Sequence, residues 1–530
     1  MNGDLVKQIL VKHDKKVLLL IILINALLKT VPAIILELGN DEVYYLTYAL
    51  FPDWSHFDHP PMVGFVIQAT TLNLLYDSEL FIRAGSIILS SASIFILYYL
   101  VKKLYSVIPA FFAVLLFISS FYFNIISGLF ILPDTPMVFF VLASLYYLLP
   151  ALTEKDPSRQ HCNAIVLFGL FTGFAFLSKY HSLFLWVGAG LYILFHNRIW
   201  FRKPSLYLSI LLTLALMIPV LVWNINNDFV SFTFHSGRIG HFHSGINLLS
   251  FIRFNIGQFL YQNPVSSIIY LFALFSVFFN IRKKRDNVKI LLIYLSIPLI
   301  IFFVFISLFR NTLPHWSGPA FVCLIILSSD YLGQVFAEKS FRVVRLLSAS
   351  VILFTLVIII ATVQIKFGIV PIGDSENEDH PGKNDFTLDM YGWKQSGRKF
   401  EQFLVRENIN ESDRENITLL SDKWYPGAHI DYYIAAPLKM DLVVAGDLER
   451  IHKYYWINQT RKPKGTGKIF YITDSRNYTT PDIFRGCFGK IIPRDTLNIT
   501  RGQIVVKQVY IFEMQNLQSD FTQVPLLCFP

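Results

Sequence analysis

Long apolar runs, separated by short polar stretches, fill roughly the first two thirds of the chain. Runs of about 20 apolar residues have the length that a helix needs to cross a bilayer. The eleven candidate spans cover 17–37, 81–101, 107–127, 136–152, 162–178, 182–196, 205–223, 264–281, 289–309, 316–333 and 343–365. The pattern therefore predicts a polytopic α-helical membrane protein.

One further apolar stretch, 61–76, is left out of the spans. It is short, and four polar residues between 68 and 73 interrupt it. We interpret it as a helix that lies along the outer membrane interface or dips into it. A span at this position would move Lys102 and Lys103 to the outer side.

The pattern changes after residue 365, where polar and apolar residues mix as in a soluble domain. Alternating stretches there predict strands near 417–421, 441–445, 468–473 and 503–513, and helices near 393–408 and 427–435. We therefore expect a membrane module at 1–365, a polar hinge or linker at 366–392 and a soluble α/β or α+β domain at 393–530.

Composition and charge agree with a membrane protein. Of 530 residues, 54% are hydrophobic and 16% are charged, and the net charge of +9 arises entirely before residue 366. Nineteen Lys and Arg residues fall in loops on the side of the N-terminus, and five fall on the other side. This bias places the N-terminus inside and the C-terminal domain outside the cytoplasm. It also explains the basic balance without a nucleic-acid partner.

An acidic pair, Asp41 and Glu42, follows the first predicted span and is itself followed by Tyr44 and Tyr45. The stretch 38–82 contains neither Lys nor Arg. Carboxylates at a membrane boundary are costly to desolvate, and one here can accept a proton from an acceptor hydroxyl. The alternative is an acid that caps a helix or sets the topology. We favour the functional interpretation.

The string Asp58-His59-Pro60-Pro61-Met62 ends this loop. Two prolines restrict the backbone and fix the direction of the preceding side chains. A carboxylate beside an imidazole can bind a divalent cation, or a phosphate when the histidine is protonated. The string also suits a helix N-terminus with proline at its first position, and both interpretations can hold together.

Two shorter outer turns carry single charges. Asp134, between Pro133 and Pro136, is either a functional acid or a helix cap. Lys179, followed by Tyr180, can hold a phosphate oxygen or extend to the interface.

The remaining candidates lie in later outer loops. His241 and His243 have a spacing that could supply metal ligands, although histidines in solvated loops often have no such role. Arg238 precedes them. Arg310 and His315, next to a tryptophan, suit an anionic head group.

Other signals are few. Cys487 and Cys528 could pair in an oxidising compartment. The chain has no P-loop or dinucleotide-binding glycine pattern, which argues against nucleotide-driven transport.

Taken in order, the strings at 41–45, 58–62, 132–136 and 177–180 resemble the bacterial members of glycosyltransferase family 39. This membrane group of GT-C type is related to protein O-mannosyltransferases and to the lipid A aminoarabinose transferase. The resemblance covers residue 1 to about residue 330.

The resemblance implies an inverting transfer of a sugar from a polyprenyl-phosphate carrier, on the outer face of the bacterial inner membrane. Asp41 would be the catalytic acid-base residue and Asp134 a second acid near the donor. Glu42, Tyr45 and Tyr180 would contact substrate. The implied fold has about eleven spans plus interfacial helices.

The chain departs from the family at one string. The aminoarabinose transferases have Glu-Lys-Pro where this chain has Asp58-His59-Pro60, and there the Glu helps to hold a metal while the Lys faces the carrier phosphate. We expect Lys179 and Arg310, with His59, Arg238 and His315 nearby, to contact the phosphate here. A divalent metal, if bound, would be held by Asp58, His241 and His243.

The expected partners are the polyprenyl-phosphate sugar donor, membrane lipids and an acceptor that is a lipid, a glycan or a protein. The alternative is a lipid-linked sugar flippase or a polymer-handling membrane protein without transferase activity. Transport would require charged or broken helices at the bilayer midplane. The acids are predicted at one face, which favours transfer.

Overall fold

The structure, a computed structural model, describes residues 3–240, 245–280, 286–373, 380–461 and 467–518. It forms two compact units, which we describe separately. The first comprises 1–31 and 53–358, and the second comprises 32–52 and 359–530.

The first unit is helical, and its helices follow the apolar runs. In chain order, the helices up to residue 367 are α1 (Gly3–Lys12), α2 (Asp14–Ile35), α3 (Asn40–Leu50), α4 (Met62–Thr70), α5 (Glu79–Leu104), α6 (Val107–Ser119), α7 (Asp134–Leu152), α8 (Arg159–Phe176), α9 (Phe184–His196), α10 (Pro204–Asn226), α11 (Val230–Gly240), α12 (Leu248–Tyr261), α13 (Pro264–Asn280), α14 (Asn287–Ser307) and α15 (Phe321–Phe367). Of these, α3 belongs to the second unit.

Six helical segments in the described part of the chain are long and apolar enough to cross a membrane. They are α2, α5, α7, α10, α14 and the run Pro314–Phe367, and the pair α12–α13, bent by 99°, makes a seventh if it counts as one span. The helical membrane architecture is thus confirmed, but the expected number of eleven exceeds this count.

Part of the difference arises from helix length. The runs predicted at 107–127 and 182–196 contain helices of 13 residues, α6 and α9. Almost every residue of α6 is buried, so its apolar composition reflects packing inside the protein. The runs predicted at 316–333 and 343–365 fall in two helices that meet at a kink at Lys339, and they are counted together as one segment.

The apolar stretch 61–76 does not form a span. Its helix, α4, has nine residues and is followed by three residues with positive φ, Leu72, Asn73 and Leu74. Nine residues rise about 14 Å, which is half of the hydrocarbon thickness.

The second unit contains a five-stranded mixed sheet. Its strands are β1 (Thr418–Ser421), β2 (Asp441–Val444), β3 (Ile469–Asp474), β4 (Phe488–Arg501) and β5 (Ile504–Leu517), in the order β2-β1-β3-β5-β4. The pairs of β1 are parallel, whereas β5 pairs antiparallel with β3 and β4. The helices are α16 (Trp393–Arg406), α17 (Glu411–Arg414), α18 (Trp424–Ile430), α19 (Leu448–Ile451) and α20 (Tyr454–Thr460). The expected C-terminal sheet domain is confirmed.

Two features of this unit differ from the expected boundaries. Residues 32–52, which the sequence assigns to the membrane module, cluster with the second unit because they contact its helices. The described part of the predicted hinge 366–392 is packed rather than open. It contains a 3-10 helix, Phe386–Met390, with Thr387 and Leu388 buried.

Cys487 is disulfide-bonded. Its predicted partner, Cys528, lies outside the described residues.

Candidate functional site

Asp134 and Lys179 form a buried ion pair in the first unit. Asp134 is the first residue of α7, and its Oδ2 accepts a hydrogen bond of 2.7 Å from Lys179 Nζ. Both side chains are 3% exposed. Asp134 is therefore more than a helix cap, and Lys179 does not extend to the interface.

Tyr122 completes this pair. Its hydroxyl donates to Asp134 Oδ1 over 2.8 Å. Tyr122 begins a short π-helix, Tyr122–Ile126, and its ring lies against Gly318, where an added Cβ would be 2.2 Å from Tyr122 Cζ. Gly318 thus leaves the space that the ring occupies. The sequence did not single out Tyr122, because it lies within an apolar run and a π-helix leaves no pattern there.

A second group of polar side chains surrounds His59. The Nε2 atom of His235 hydrogen-bonds to the Asp58 carbonyl oxygen over 2.6 Å, and the rings of His59 and His235 are 5.9 Å apart. The ring of Tyr180 is 5.4 Å from that of His235. Both Asp134 and Lys179 act electrostatically on His59, so the two groups belong to one site.

Burial favours the neutral form of His59. Desolvation by burial lowers the pKa of its imidazole, and the charge of Asp58 only partly opposes this effect. Phosphate binding by His59 stays a prediction. A neutral imidazole can still donate or accept a hydrogen bond.

Two more histidines border the ion pair. His315 lies in the 3-10 helix Pro314–Ala320 and interacts electrostatically with both Asp134 and Lys179. The ring of His181 is 4.9 Å from that of Phe303, and burial lowers its pKa well below the usual value. Lys179 consequently supplies the positive charge at the centre of this site.

The predicted arginines lie in later segments. Arg310 follows α14, is half-buried, and its carbonyl oxygen accepts a hydrogen bond from the Ser250 hydroxyl. Arg238 lies in α11, and its side chain is outside the described part of the structure. Their contact with a phosphate stays a prediction.

The described residues contain no group of three or more His, Cys, Asp or Glu placed to hold a metal ion. Near Asp58, the bond from His235 goes to the carbonyl oxygen. His241 and His243, the other predicted ligands, lie outside the described residues. The residues that the structure describes do not form a metal site by themselves.

The second unit carries the acidic pair on α3. Asp41 is exposed, whereas Glu42 is buried and its Oε2 accepts a hydrogen bond of 2.9 Å from the Gly39 backbone nitrogen. The Glu42 side chain thus caps the N-terminus of α3. Tyr45 is buried, and its ring is 5.3 Å from those of Tyr44 and Tyr48.

The loop before Asp41 is fixed by the sheet domain. Glu37 accepts hydrogen bonds from the backbone nitrogens of Trp393 and Lys394 over 2.7 and 3.1 Å, at the start of α16. A carboxylate is favoured there because the first N–H groups of a helix lack partners within the helix. The Leu38 nitrogen donates to the Tyr433 hydroxyl over 2.7 Å.

Asn40, next to Asp41, is held by a histidine. Its Oδ1 is 2.9 Å from His429 Nε2. The His429 ring stacks on the Trp393 ring, with centroids 4.1 Å apart. Lys507 Nζ lies over the same Trp393 ring, 3.5 Å from its centroid. Burial lowers the pKa of Lys507 to about 8. No sequence pattern indicated these partners, because His429 is 389 residues from Asn40 along the chain.

The first unit thus combines apolar helices with a buried acid-lysine site, and the second unit carries a small mixed sheet. Residues 58–223 match the family model of dolichyl-phosphate-mannose-protein mannosyltransferases. This match confirms the resemblance seen in the strings at 58–62, 132–136 and 177–180.

The relatives are glycosyltransferases. The lipid A galacturonosyltransferase RgtD of Rhizobium johnstonii is 24% identical over 302 residues, which cover 54% of this chain and 59% of RgtD. The match thus spans less than two thirds of that relative.

Solved structures share the fold. ArnT from Cupriavidus metallidurans bound to undecaprenyl phosphate has 15% identity and a TM-score of 0.61, over 93% of this chain and 97% of ArnT. Its apo state gives 13% identity and a TM-score of 0.62, over 94% and 98%. The predicted fold class is confirmed.

Proposed function

We propose that the protein is an inverting glycosyltransferase that moves a sugar from a polyprenyl-phosphate carrier to an acceptor hydroxyl. The observation that carries this proposal is the buried pair of Asp134 and Lys179, together with Tyr122. All three residues lie inside the segment 58–223 that matches the mannosyltransferase family.

Lys179 binds the carrier phosphate. An ammonium group has three N–H donors, and Asp134 accepts one of them. The other donors can reach phosphate oxygens. Asp134 holds the ammonium group in place, and Tyr122 in turn holds Asp134. The positive charge therefore already lies where the leaving phosphate gains negative charge. The neutral His59 can add a hydrogen bond.

Asp41 is the base. Its exposed carboxylate can take the proton of the acceptor hydroxyl. The acceptor oxygen then bonds to the anomeric carbon from one face, while the bond from that carbon to the phosphate oxygen breaks on the other face. The products are the inverted glycoside and the polyprenyl phosphate. Because both lipid-linked substrates are confined to one plane, much of the orientation is supplied by the membrane.

The relatives support the choice of substrates. One ArnT structure contains undecaprenyl phosphate, and RgtD is named for transfer to lipid A. Of the three acceptor classes expected from the sequence, a lipid is therefore the first to test. Glycan and protein acceptors are the other arms of the experiment.

The experiment uses the full chain in liposomes, a labelled polyprenyl-phosphate sugar and separate lipid, glycan and peptide acceptors. We expect label on one acceptor class and its loss in Asp41→Asn. Transfer that is undiminished in Asp41→Asn would remove the base assignment. Movement of the donor across the bilayer without transfer to any acceptor would favour a flippase.

The site is proposed to face outward from the bacterial inner membrane, with the C-terminal domain outside the cytoplasm. The charge bias of the loops supports this orientation. An impermeant thiol reagent should therefore fail to label Lys103→Cys in intact cells and should label it in inverted vesicles. Labelling in intact cells would reverse the topology.

A divalent metal held by Asp58, His241 and His243 remains part of the proposal. It would add positive charge beside the carrier phosphate. The metal content of the purified protein tests this directly, since the triple alanine variant should lose one metal ion per chain. Equal metal content in the variant would exclude these ligands.

A further inference from the structure

Large apolar side chains are exposed where α15 ends and where the β4–β5 hairpin turns. We call these six residues the hairpin-tip patch. They are Phe367, Ile369, Val370, Phe386, Ile504 and Val505, of which all but Val505 are 59–69% exposed. Exposed apolar side chains that cluster in this way usually mark an interaction surface.

Arg501 brings the three segments together. Gly368 closes α15 with φ +62°, and an added Cβ there would be 2.5 Å from Arg501 Cδ. Arg501 pairs with Ile504 at the end of the β4–β5 ladder. Its Nη2 donates to the Thr387 hydroxyl over 3.2 Å, next to Phe386. The patch residues therefore lie on three segments that meet at Arg501.

The position of the patch along the chain indicates what covers it. The helical run Pro314–Phe367 is apolar enough to cross a membrane, and Ile359 and Ile360 in its last turns are 50% and 64% exposed. Gly368 is the next residue after this run. Since Arg501, beside the hairpin turn, contacts Gly368, the hairpin tip lies next to the C-terminal end of this apolar helix.

The surrounding side chains suit a membrane boundary. The Arg501 guanidinium lies over the Tyr391 ring, 4.5 Å from its centroid. The Tyr391 hydroxyl donates to the Thr500 carbonyl oxygen over 3.1 Å. Tyrosine and arginine with apolar neighbours are typical of the boundary between head groups and acyl chains.

We propose that the hairpin-tip patch docks onto the bilayer surface at the end of α15, with Ile504, Ile369 and Phe367 inserted at the boundary between head groups and acyl chains. The occupant is the phospholipid bilayer itself, because the patch continues the exposed apolar side of the helix that crosses it. The sheet domain is then attached to the membrane at two points, the chain itself and the hairpin tip.

The test measures lipid contact at Ile504 in the full chain. Ile504→Cys, in a Cys162→Ser background, is labelled with bimane and reconstituted into phosphatidylcholine liposomes; Cys323 is buried and Cys487 is disulfide-bonded. One sample contains lipids with a nitroxide near the head group, and another receives iodide in the water. The control is Val405→Cys on α16, which is 63% exposed. Its neighbour Arg406 pairs with Asp495, roughly 20 Å from Arg501 along β4.

We expect quenching by the nitroxide lipid to be at least threefold stronger at residue 504 than at residue 405, with the opposite order for iodide. Ile369→Cys, on a separate segment, should behave as Ile504→Cys does, which guards against a local effect of one substitution. Iodide quenching that is equal at 504, 369 and 405, without lipid quenching, would overturn the proposal. Protection from both quenchers that rises with the protein-to-lipid ratio would point to a second copy of the chain and would also overturn it.

Discussion

The two acids that the sequence singled out are held in opposite ways. Asp134 in the first unit is buried and bound on both oxygens by side chains, Lys179 and Tyr122. Asp41 in the second unit is exposed, and its position depends on neighbouring residues such as Asn40. The carboxylate of Asp134 is paired with an ammonium group, whereas that of Asp41 is open to solvent. The proposed roles differ accordingly: Asp134 would hold the cation on the donor side, and Asp41 would be the base on the acceptor side.

The largest effect is expected from breaking the buried pair. Lys179→Met leaves Asp134 buried without its cation, which should lower the free energy of unfolding by about 3–5 kcal/mol. The double variant Lys179→Met with Asp134→Asn should recover most of this loss. Unfolding is followed by tryptophan fluorescence in detergent.

The control is Lys102→Met, whose partner Asp14 belongs to a more exposed pair, and there the loss should stay within about 1 kcal/mol. Equal losses in Lys179→Met and Lys102→Met would show that burial of the first pair has no energetic consequence.

Asp41→Asn should show the opposite behaviour. Because the side chain is exposed, the free energy of unfolding should change by at most about 1 kcal/mol. Loss of the base should reduce the transfer rate by about 100- to 10,000-fold. Asp53→Asn, in the same charge-poor loop, is the control for transfer. A large loss of stability in Asp41→Asn would contradict its description as an exposed acid.

The next effect concerns the dependence of the free energy of unfolding on pH. Lys507 has a pKa of about 8 in the folded protein, below the unfolded value of about 10.4. Between these values the unfolded chain binds the additional proton, so the free energy of unfolding should rise with pH, by up to about 3 kcal/mol. Below pH 8 both states are protonated and this contribution is constant.

Lys507→Met should remove that rise. The measurement is the free energy of unfolding at pH 7.5, 9 and 10.5. The surface variant Lys399→Met should keep it. A rise of the same size in Lys507→Met would show that another group causes it.

The smallest effect is expected at His429, which positions the loop of Asp41. His429→Ala should lower the transfer rate constant about 10-fold with little change in KM for the donor, because only the base is displaced. His429→Gln, which keeps a donor for Asn40, should restore most of it. Tyr471→Phe, a buried hydroxyl deletion elsewhere in the sheet domain, serves as the stability control. If Tyr471→Phe slowed transfer equally, general destabilisation would explain the result.

The sequence predicted the local features well and the long-range ones poorly. Apolar runs identified the helices, and the strings around Asp134 and Lys179 identified both members of the ion pair. Their direct contact depends on how α7 and α8 pack, which no spacing encodes. The strand β4 was missed because burial does not alternate over its first nine residues and because it contains Pro493. The partners of Glu37 are more than 350 residues away in the chain.

The division of roles between the two acids is tested most directly by binding of undecaprenyl phosphate to the full chain in nanodiscs. We compare the wild type, Asp41→Asn and the double variant Lys179→Met with Asp134→Asn, whose stability is measured in parallel. We predict that Asp41→Asn binds as the wild type does and that the double variant binds at least 100-fold more weakly. Equal binding by a folded double variant would contradict the assignment of the carrier phosphate to Lys179.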